Sequence, residues 1–181
     1  MSGTPQVGVP EGVSQLLAGA RLLALDVDGV LTDGRVIYTG EQEAQCFDVK
    51  DGAGLAALVR SGLPVVWITG RGCAATSRRA DELGARLMTG IQDKSEALAA
   101  VQAELGLGPE ETVAMGDDLA DLAMASLAAV FIAPADAVPE VRARADWVTA
   151  GAGGRGAVRE VCDALLAARK PRDPASDGAR E

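Results

Sequence analysis

The sequence contains no histidine. That absence removes Ser-His-Asp and Cys-His nucleophilic catalysis, histidine-ligated zinc and a histidine general base. Acid–base work is left to carboxylates, lysine, cysteine or tyrosine. Aromatic residues are nearly as scarce, at 3% of 181 positions, so the core must be aliphatic and rich in alanine. The surface also lacks the rings on which nucleic-acid bases stack. Basic residues are outnumbered, 17 against 26 acidic ones, for a formal charge of −9. Such a balance argues against a nucleic-acid partner and requires an anionic ligand to be captured by local fields. The three cysteines, Cys46, Cys73 and Cys162, show no CxxC spacing. A disulfide framework or structural zinc site is therefore not expected, and reduced thiols in a cytoplasm fit best. No apolar run approaches the roughly 20 residues of a membrane span. The N-terminus lacks a basic region followed by an apolar core, so no signal peptide is expected.

What is present is an alternation of short apolar runs and helical patterns. Residues 21–25 (RLLAL), 65–68 (VVWI), 86–88, 112–115, 129–132 and 147–148 read as strands, most of them stopped by Gly, Pro or acidic residues. Runs this short and this apolar suit strands buried on both faces. Helical patterns occupy about 54–61, 73–83, 95–105, 119–125, 138–143 and 157–168. The expected fold is α/β: a doubly wound, mainly parallel sheet with helices on both faces and the ligand at the carboxyl ends of the strands. Residues 35–38 and 44–49, flanking Thr39-Gly40-Glu41-Gln42, break the alternation and read as a β-hairpin over the catalytic edge. One domain over 13–169 is expected, with a loose N-terminal arm over 1–12 and a polar tail over 170–181.

The chemistry-bearing positions lie where strands end. The first strand runs into Asp26-Val27-Asp28-Gly29. Two acids there are poor strand formers, and they are costly to bury unless metal or hydrogen bonds hold them charged. The second strand ends in Thr69-Gly70-Arg71, where Gly70 lets backbone approach a ligand closely. Lys94 opens the helix after the third strand, a position unfavourable to the helix dipole unless an anion sits nearby. The fourth strand is followed by Gly116-Asp117-Asp118-Leu119-Ala120-Asp121, with three acids in five residues. Asp118 also suits an N-cap.

These four motifs, in this order, resemble the haloacid dehalogenase superfamily, whose first motif is DxDxT/V. The resemblance implies Asp26 as nucleophile on phosphorus, Asp28 as general acid–base, Thr69 and Lys94 as phosphoryl-binding groups, and Mg²⁺ as cofactor. It assigns the metal to Asp26, Asp117 and the backbone carbonyl of Asp28, with Asp118 and Asp121 orienting them from behind. Asp26–Gly34 (DVDGVLTDG), Asp51-Gly52-Ala53-Gly54, Ile68–Arg71 (ITGR), Gly116–Leu119 (GDDL) and Gly153–Val161 (GGRGAVREV) resemble more narrowly the cap-free 3-deoxy-D-manno-octulosonate 8-phosphate phosphatases. That family implies a phosphorylated sugar acid as substrate and a homotetramer in which hairpins cover neighbouring sites. Gly70, Arg71, Lys50, Asp51, Gly52, Arg79 and Arg155 are the positions it implies for substrate binding. Lys50 stands where the family usually has arginine, and Ala53 and Ala56 where it has bulk and charge. A nonulosonate 9-phosphate is therefore a second candidate substrate.

Gly151-Ala152-Gly153-Gly154-Arg155-Gly156 satisfies GxGxxG, but the strand and acid of a dinucleotide site do not follow it. Two other classes share features with this chain. A phosphoacceptor signalling module also gathers acids, a hydroxyl and a lysine on a doubly wound sheet, with a different order of motifs. A scaffold that only oligomerises would have no use for the intact set.

Overall fold

The computed structural model describes residues 8–169. The tail expected over 170–181, and the first seven residues of the expected arm, lie outside them. Six strands form one parallel sheet: β1 (Leu22–Leu25), β4 (Val65–Ile68), β5 (Arg86–Met88), β6 (Thr112–Met115), β7 (Val130–Ala133) and β8 (Trp147–Val148), in spatial order β5-β4-β1-β6-β7-β8. Chain order reverses on either side of β1, so the sheet has a switch point between β1 and its neighbours, where ligands of such sheets bind. A separate antiparallel hairpin pairs β2 (Ile37–Thr39) with β3 (Gln42–Ala44). It is the insertion expected after the first strand, and among the described residues no cap domain follows it.

Side-chain alternation assigns each strand residue to one of two cores. Leu23, Leu25, Val65, Trp67, Val113, Met115, Val130 and Ile132 face one side. There they meet α1 (Glu11–Ala18), α2 (Val49–Arg60), α3 (Ala74–Leu83) and α7 (Ala157–Ala168). Leu22, Ala24, Val66, Ile68, Ala114, Phe131 and Ala133 face the other. These pack against α4 (Lys94–Leu105), α5 (Leu122–Ala125) and α6 (Pro139–Arg142). Both faces of the central strands are apolar, which is why they read as unbroken runs in the sequence.

Three local readings are corrected. The hairpin strands are shorter than expected: residues 45–48 carry no strand, and Asp48 instead caps α2, its carboxylate accepting from Lys50 N at 2.7 Å. α2 therefore begins five residues before the expected helix. α1 was not expected; it takes in the last two residues of the predicted arm and buries Val13 and Leu17 against the α7 side of the core.

Candidate active site

The parallel sheet delivers its strand ends to one edge. Asp26 follows β1, and its N–H donates to Met115 O at 3.0 Å, extending the pairing with β6 by one residue. Asp26 is thus fixed by the sheet rather than by a loop, and the residue is only 5% exposed. Thr69 follows the adjacent β4, is buried, and accepts the Arg71 N–H on its hydroxyl at 3.1 Å. Lys94 is the first residue of α4, whose N-terminus is capped by Asp93 through Ser95 N and Glu96 N. From there its ammonium reaches across to short ion pairs with both Asp26 and Asp121.

Asp121 is the hub of the far side. One oxygen takes Lys94; the other accepts the backbone N–H groups of Asp117 and Asp118, at 2.9 and 3.0 Å. It orients the loop after β6 from a fully buried position. Asp118 points outward and caps the turn after it, accepting from Leu119 N at 2.7 Å. Among the described residues, no protein donor reaches the Asp117 carboxylate. Its place is made by Gly29, whose φ is +92° and where an added Cβ would fall 2.1 Å from Asp117 Oδ2.

Asp26, Asp117 and Asp121 each bring a carboxylate oxygen within 4.8 Å of the others. Three carboxylates face one ammonium, an excess of negative charge in a buried space. Burial, then the Asp121 charge, push Asp26 up to about 7 against the pull of Lys94. Burial, then the charges of Asp26 and Asp121, push Asp117 up to about 7 as well. Burial pulls Lys94 down, but Asp26 and Asp121 outweigh it and hold the ammonium charged. An acidic group of this kind, with Asp117 unpartnered, is fitted to hold a metal cation.

The expected substrate-binding positions divide. Arg71 is exposed at the edge, held by Glu43 of the hairpin at 3.1 Å, with Nε 3.9 Å from Asp28 Oδ2. Gly70 is exposed beside it, and Lys50 is exposed on the first turn of α2. Arg155 is exposed and pairs with Asp33 at 3.3 Å. Asp51 has a different task. Its buried carboxylate accepts from Arg159 N at 2.7 Å and Gly156 N at 3.3 Å, and so caps α7 from a neighbouring helix. It is engaged by backbone and is not free to hold substrate. Gly52 gives room to the Arg79 guanidinium, which a Cβ there would meet at 2.0 Å, and Arg79 also pairs with Glu82. These two positions are accounted for by packing.

Sequence reasoning missed Gln45, which donates to Asp28 Oδ1 at 2.9 Å. Nothing in a lone glutamine after a hairpin marks it. In the Gly151–Gly156 loop only Arg155 was singled out from the sequence, for substrate binding. The Gly151–Gly156 backbone lies on the loop that carries Asp28: Gly154 N donates to Val30 O at 2.9 Å, and the backbone at Gly153 leaves no space for a Cβ.

A parallel α/β sheet with an Asp-x-Asp at its first strand end, a threonine, a lysine and a second acidic loop at the same edge defines a haloacid dehalogenase-like phosphatase. A haloacid dehalogenase-like hydrolase family model matches residues 85–160. The 3-deoxy-D-manno-octulosonate 8-phosphate phosphatase KdsC of Yersinia pestis is 43% identical over 164 residues, 89% of this chain and 87% of that one. The Moraxella catarrhalis 3-deoxy-D-manno-octulosonate 8-phosphate phosphatase, solved with magnesium ion, phosphate ion and KDO, superposes with a TM-score of 0.84 at 41% identity, covering 87% of this chain and 92% of that one. The cobalt-bound Haemophilus influenzae deoxy-D-mannose-octulosonate 8-phosphate phosphatase gives 0.82 at 34%, over 86% and 92%. This chain belongs to the 3-deoxy-D-manno-octulosonate 8-phosphate phosphatase family. Among the described residues, no helix is long and apolar enough to cross a membrane.

Proposed function

We propose that this phosphatase is a Mg²⁺-dependent phosphomonoesterase that forms an aspartyl phosphate on Asp26, with 3-deoxy-D-manno-octulosonate 8-phosphate as its substrate. The observation that carries the mechanism is the convergence of the Asp26, Asp117 and Asp121 carboxylates at one sheet edge, where Lys94 pairs with Asp26 and Asp121 and leaves Asp117 free. The substrate rests on likeness to relatives that bear its name over nearly their whole length.

Asp26, Asp117 and the Asp28 carbonyl would hold the ion, because both Asp121 oxygens are already engaged, one by Lys94 and the other by two backbone N–H groups. Bound there, a divalent cation supplies the positive charge that keeps the carboxylates ionised and offsets that of the phosphoryl oxygens. The remaining steps belong to the chain. An Asp26 oxygen attacks phosphorus in line. Asp28 hands its proton to the departing sugar oxygen, then takes one from the water that attacks the aspartyl phosphate. Lys94 has three donors, of which its partners take two, and the third serves a phosphoryl oxygen with the Thr69 hydroxyl.

The charge pattern has a sign that can be read in stability. An aspartate whose folded pKa is raised stabilises the fold fully below its unfolded value of 3.8, and that contribution is lost as pH rises through about 7. Metal-free protein is expected to lose melting temperature between about pH 4 and pH 7. Mg²⁺ should restore more of it at the upper end, since only ionised carboxylates bind the ion. Thermal scans with and without Mg²⁺ across that range measure this; an ion effect that is largest at acidic pH contradicts it.

We also propose a homotetramer built on the hairpin. Its exposed apolar residues support this: Ile37 and Tyr38 are 41% and 71% exposed, and Val36 just before them is exposed as well. Such an apolar set suits coverage by another copy.

The test of substrate is phosphate release with Mg²⁺, and after chelation, on the octulosonate 8-phosphate, nonulosonate 9-phosphates and simple hexose phosphates. The expected result is preference for the first and loss of all activity on chelation. Preference for a nonulosonate 9-phosphate would replace the substrate and assign the change to Lys50, Ala53 and Ala56.

A further inference from the structure

Two residues of the hairpin's second arm bear on Asp28: Glu43, within β3, acts through Arg71, and Gln45, one residue past the end of β3, acts directly. Glu43 holds Arg71 at 3.1 Å, and Arg71 Nε lies 3.9 Å from Asp28 Oδ2. Gln45 Nε2 donates directly to Asp28 Oδ1 at 2.9 Å.

The other end of the Gln45 amide is fixed as well. Its Oε1 accepts a short hydrogen bond from the buried Thr76 hydroxyl and another from Cys73 Sγ at 3.1 Å. Thr76 and Cys73 are themselves in contact, Sγ to Oγ1, at 3.4 Å. The Thr76 hydroxyl and the Cys73 thiol can each donate, which suits the carbonyl at that end. The acceptor-only carboxylate at the other end demands the NH₂. The amide therefore has one satisfied orientation.

We infer that Gln45 is a positioning residue for the Asp28 carboxyl, and that it dictates which oxygen exchanges the proton. The inference rests on the reading of Asp28 as general acid–base. With Oδ1 held by the Gln45 N–H, the proton is carried on Oδ2, whose direction that bond sets; Arg71 Nε, 3.9 Å from Oδ2, lies beyond hydrogen-bond distance of it. As the Asp26 oxygen bonds to phosphorus, the bond from phosphorus to the ester oxygen breaks. Its electron pair stays on that oxygen, which takes the proton from Oδ2. Without the Gln45 bond the carboxyl can turn about its last torsion, and the proton is no longer aimed.

A misaimed acid has a signature that loss of fold or of substrate binding lacks. An alkyl ester needs its leaving oxygen protonated, whereas p-nitrophenyl phosphate has a leaving group stable as an anion. Values of kcat/KM report the step up to release of the alcohol, before water acts. Gln45→Leu should lower kcat/KM on a sugar phosphate about tenfold and leave p-nitrophenyl phosphate within about twofold of wild type. Thr76→Val, which frees the amide carbonyl without touching Asp28, should show the same selectivity with a smaller loss. Asp28→Asn is the control for the underlying reading: it should lose the alkyl ester far more than the aryl one. Equal losses on both esters in Asp28→Asn would overturn the acid assignment itself. Selectivity in Asp28→Asn but equal losses, or none, in both Gln45→Leu and Thr76→Val would overturn the role of Gln45 alone.

Discussion

Asp26→Asn is expected to lower kcat/KM on any phosphomonoester by ~10⁴-fold or more, because an amide oxygen does not form the acyl phosphate. The fold should survive the change. Asp26 N is held by the β6 backbone whatever its side chain, and burial already disfavours the ionised carboxylate. The metal-free melting temperature should therefore not fall, since the change removes one of three converging negative charges. Loss of activity with retained stability separates a reacting group from a structural one. Lys94 cannot be tested as cleanly: removing it leaves Asp26 and Asp121 buried without their common cation.

Gly153→Ala is expected to be the most destabilising single methyl in the described chain. Its Cβ would stand 1.8 Å from Gly29 O and 2.5 Å from Gly29 C, and backbone on both sides must move to admit it. Overpacking of this kind costs about 3 kcal/mol, a fall of about 10 °C in melting temperature for a chain of this size. Activity should fall further than stability explains. The displaced Gly29 is the seat of the Asp117 carboxylate, and the loop it belongs to carries Asp28. Gly12→Ala in α1 is the control, because a Cβ there meets nothing within 4 Å; it should be neutral or mildly stabilising. Thermal unfolding and steady-state assays of the two variants make the comparison.

The Gly151–Gly156 loop shows how far the fold goes to hold the nucleophile's surroundings still. Glu160 accepts from Ala150 N and Gly151 N, Asp136 from Gly153 N, and Asp51 from Gly156 N and Arg159 N. Three carboxylates from three elements clamp a glycine-rich backbone onto the Gly29–Thr32 turn. None of these residues touches a reacting atom, yet each restricts where Asp28 and Asp117 can go.

What was legible in the sequence follows from the same physics. The strands at 65–68 and 112–115 were readable to the residue because central parallel strands are apolar on both faces and stop at Thr69-Gly70 and Gly116; the edge strands 86–88 and 147–148 were read from their place in the strand–helix alternation. Asp26, Asp28, Thr69, Lys94 and Asp117 stood out because each lies one to three residues past a strand or opens a helix, and parallel strands send such ends to one edge. The start of α2 was hidden by Gly52 and Gly54, which argue against helix in any local reading. Their reason is tertiary: a Cβ at Gly54 would meet Arg159 Cδ at 2.9 Å and Cys162 Cβ at 3.0 Å, so Gly54 lets α2 and α7 approach, while Gly52 makes room for Arg79 of α3. Asp51 was assigned to substrate through the family resemblance, and its capping role was hidden because its partners, Gly156 N and Arg159 N, lie more than a hundred residues away. The helix α1 is short, and its burial of Val13 and Leu17, not its propensity, accounts for it.

The most direct test of the account is to trap the intermediate. Mg²⁺-loaded enzyme is mixed with excess sugar acid phosphate, quenched in acid within a turnover, reduced with borohydride and mapped by mass spectrometry. The account predicts reduction of one aspartate, Asp26, in proportion to the phosphoenzyme present, and none in Asp26→Asn. Full turnover with no modified aspartate, or modification at Asp28 or Asp117, would contradict it.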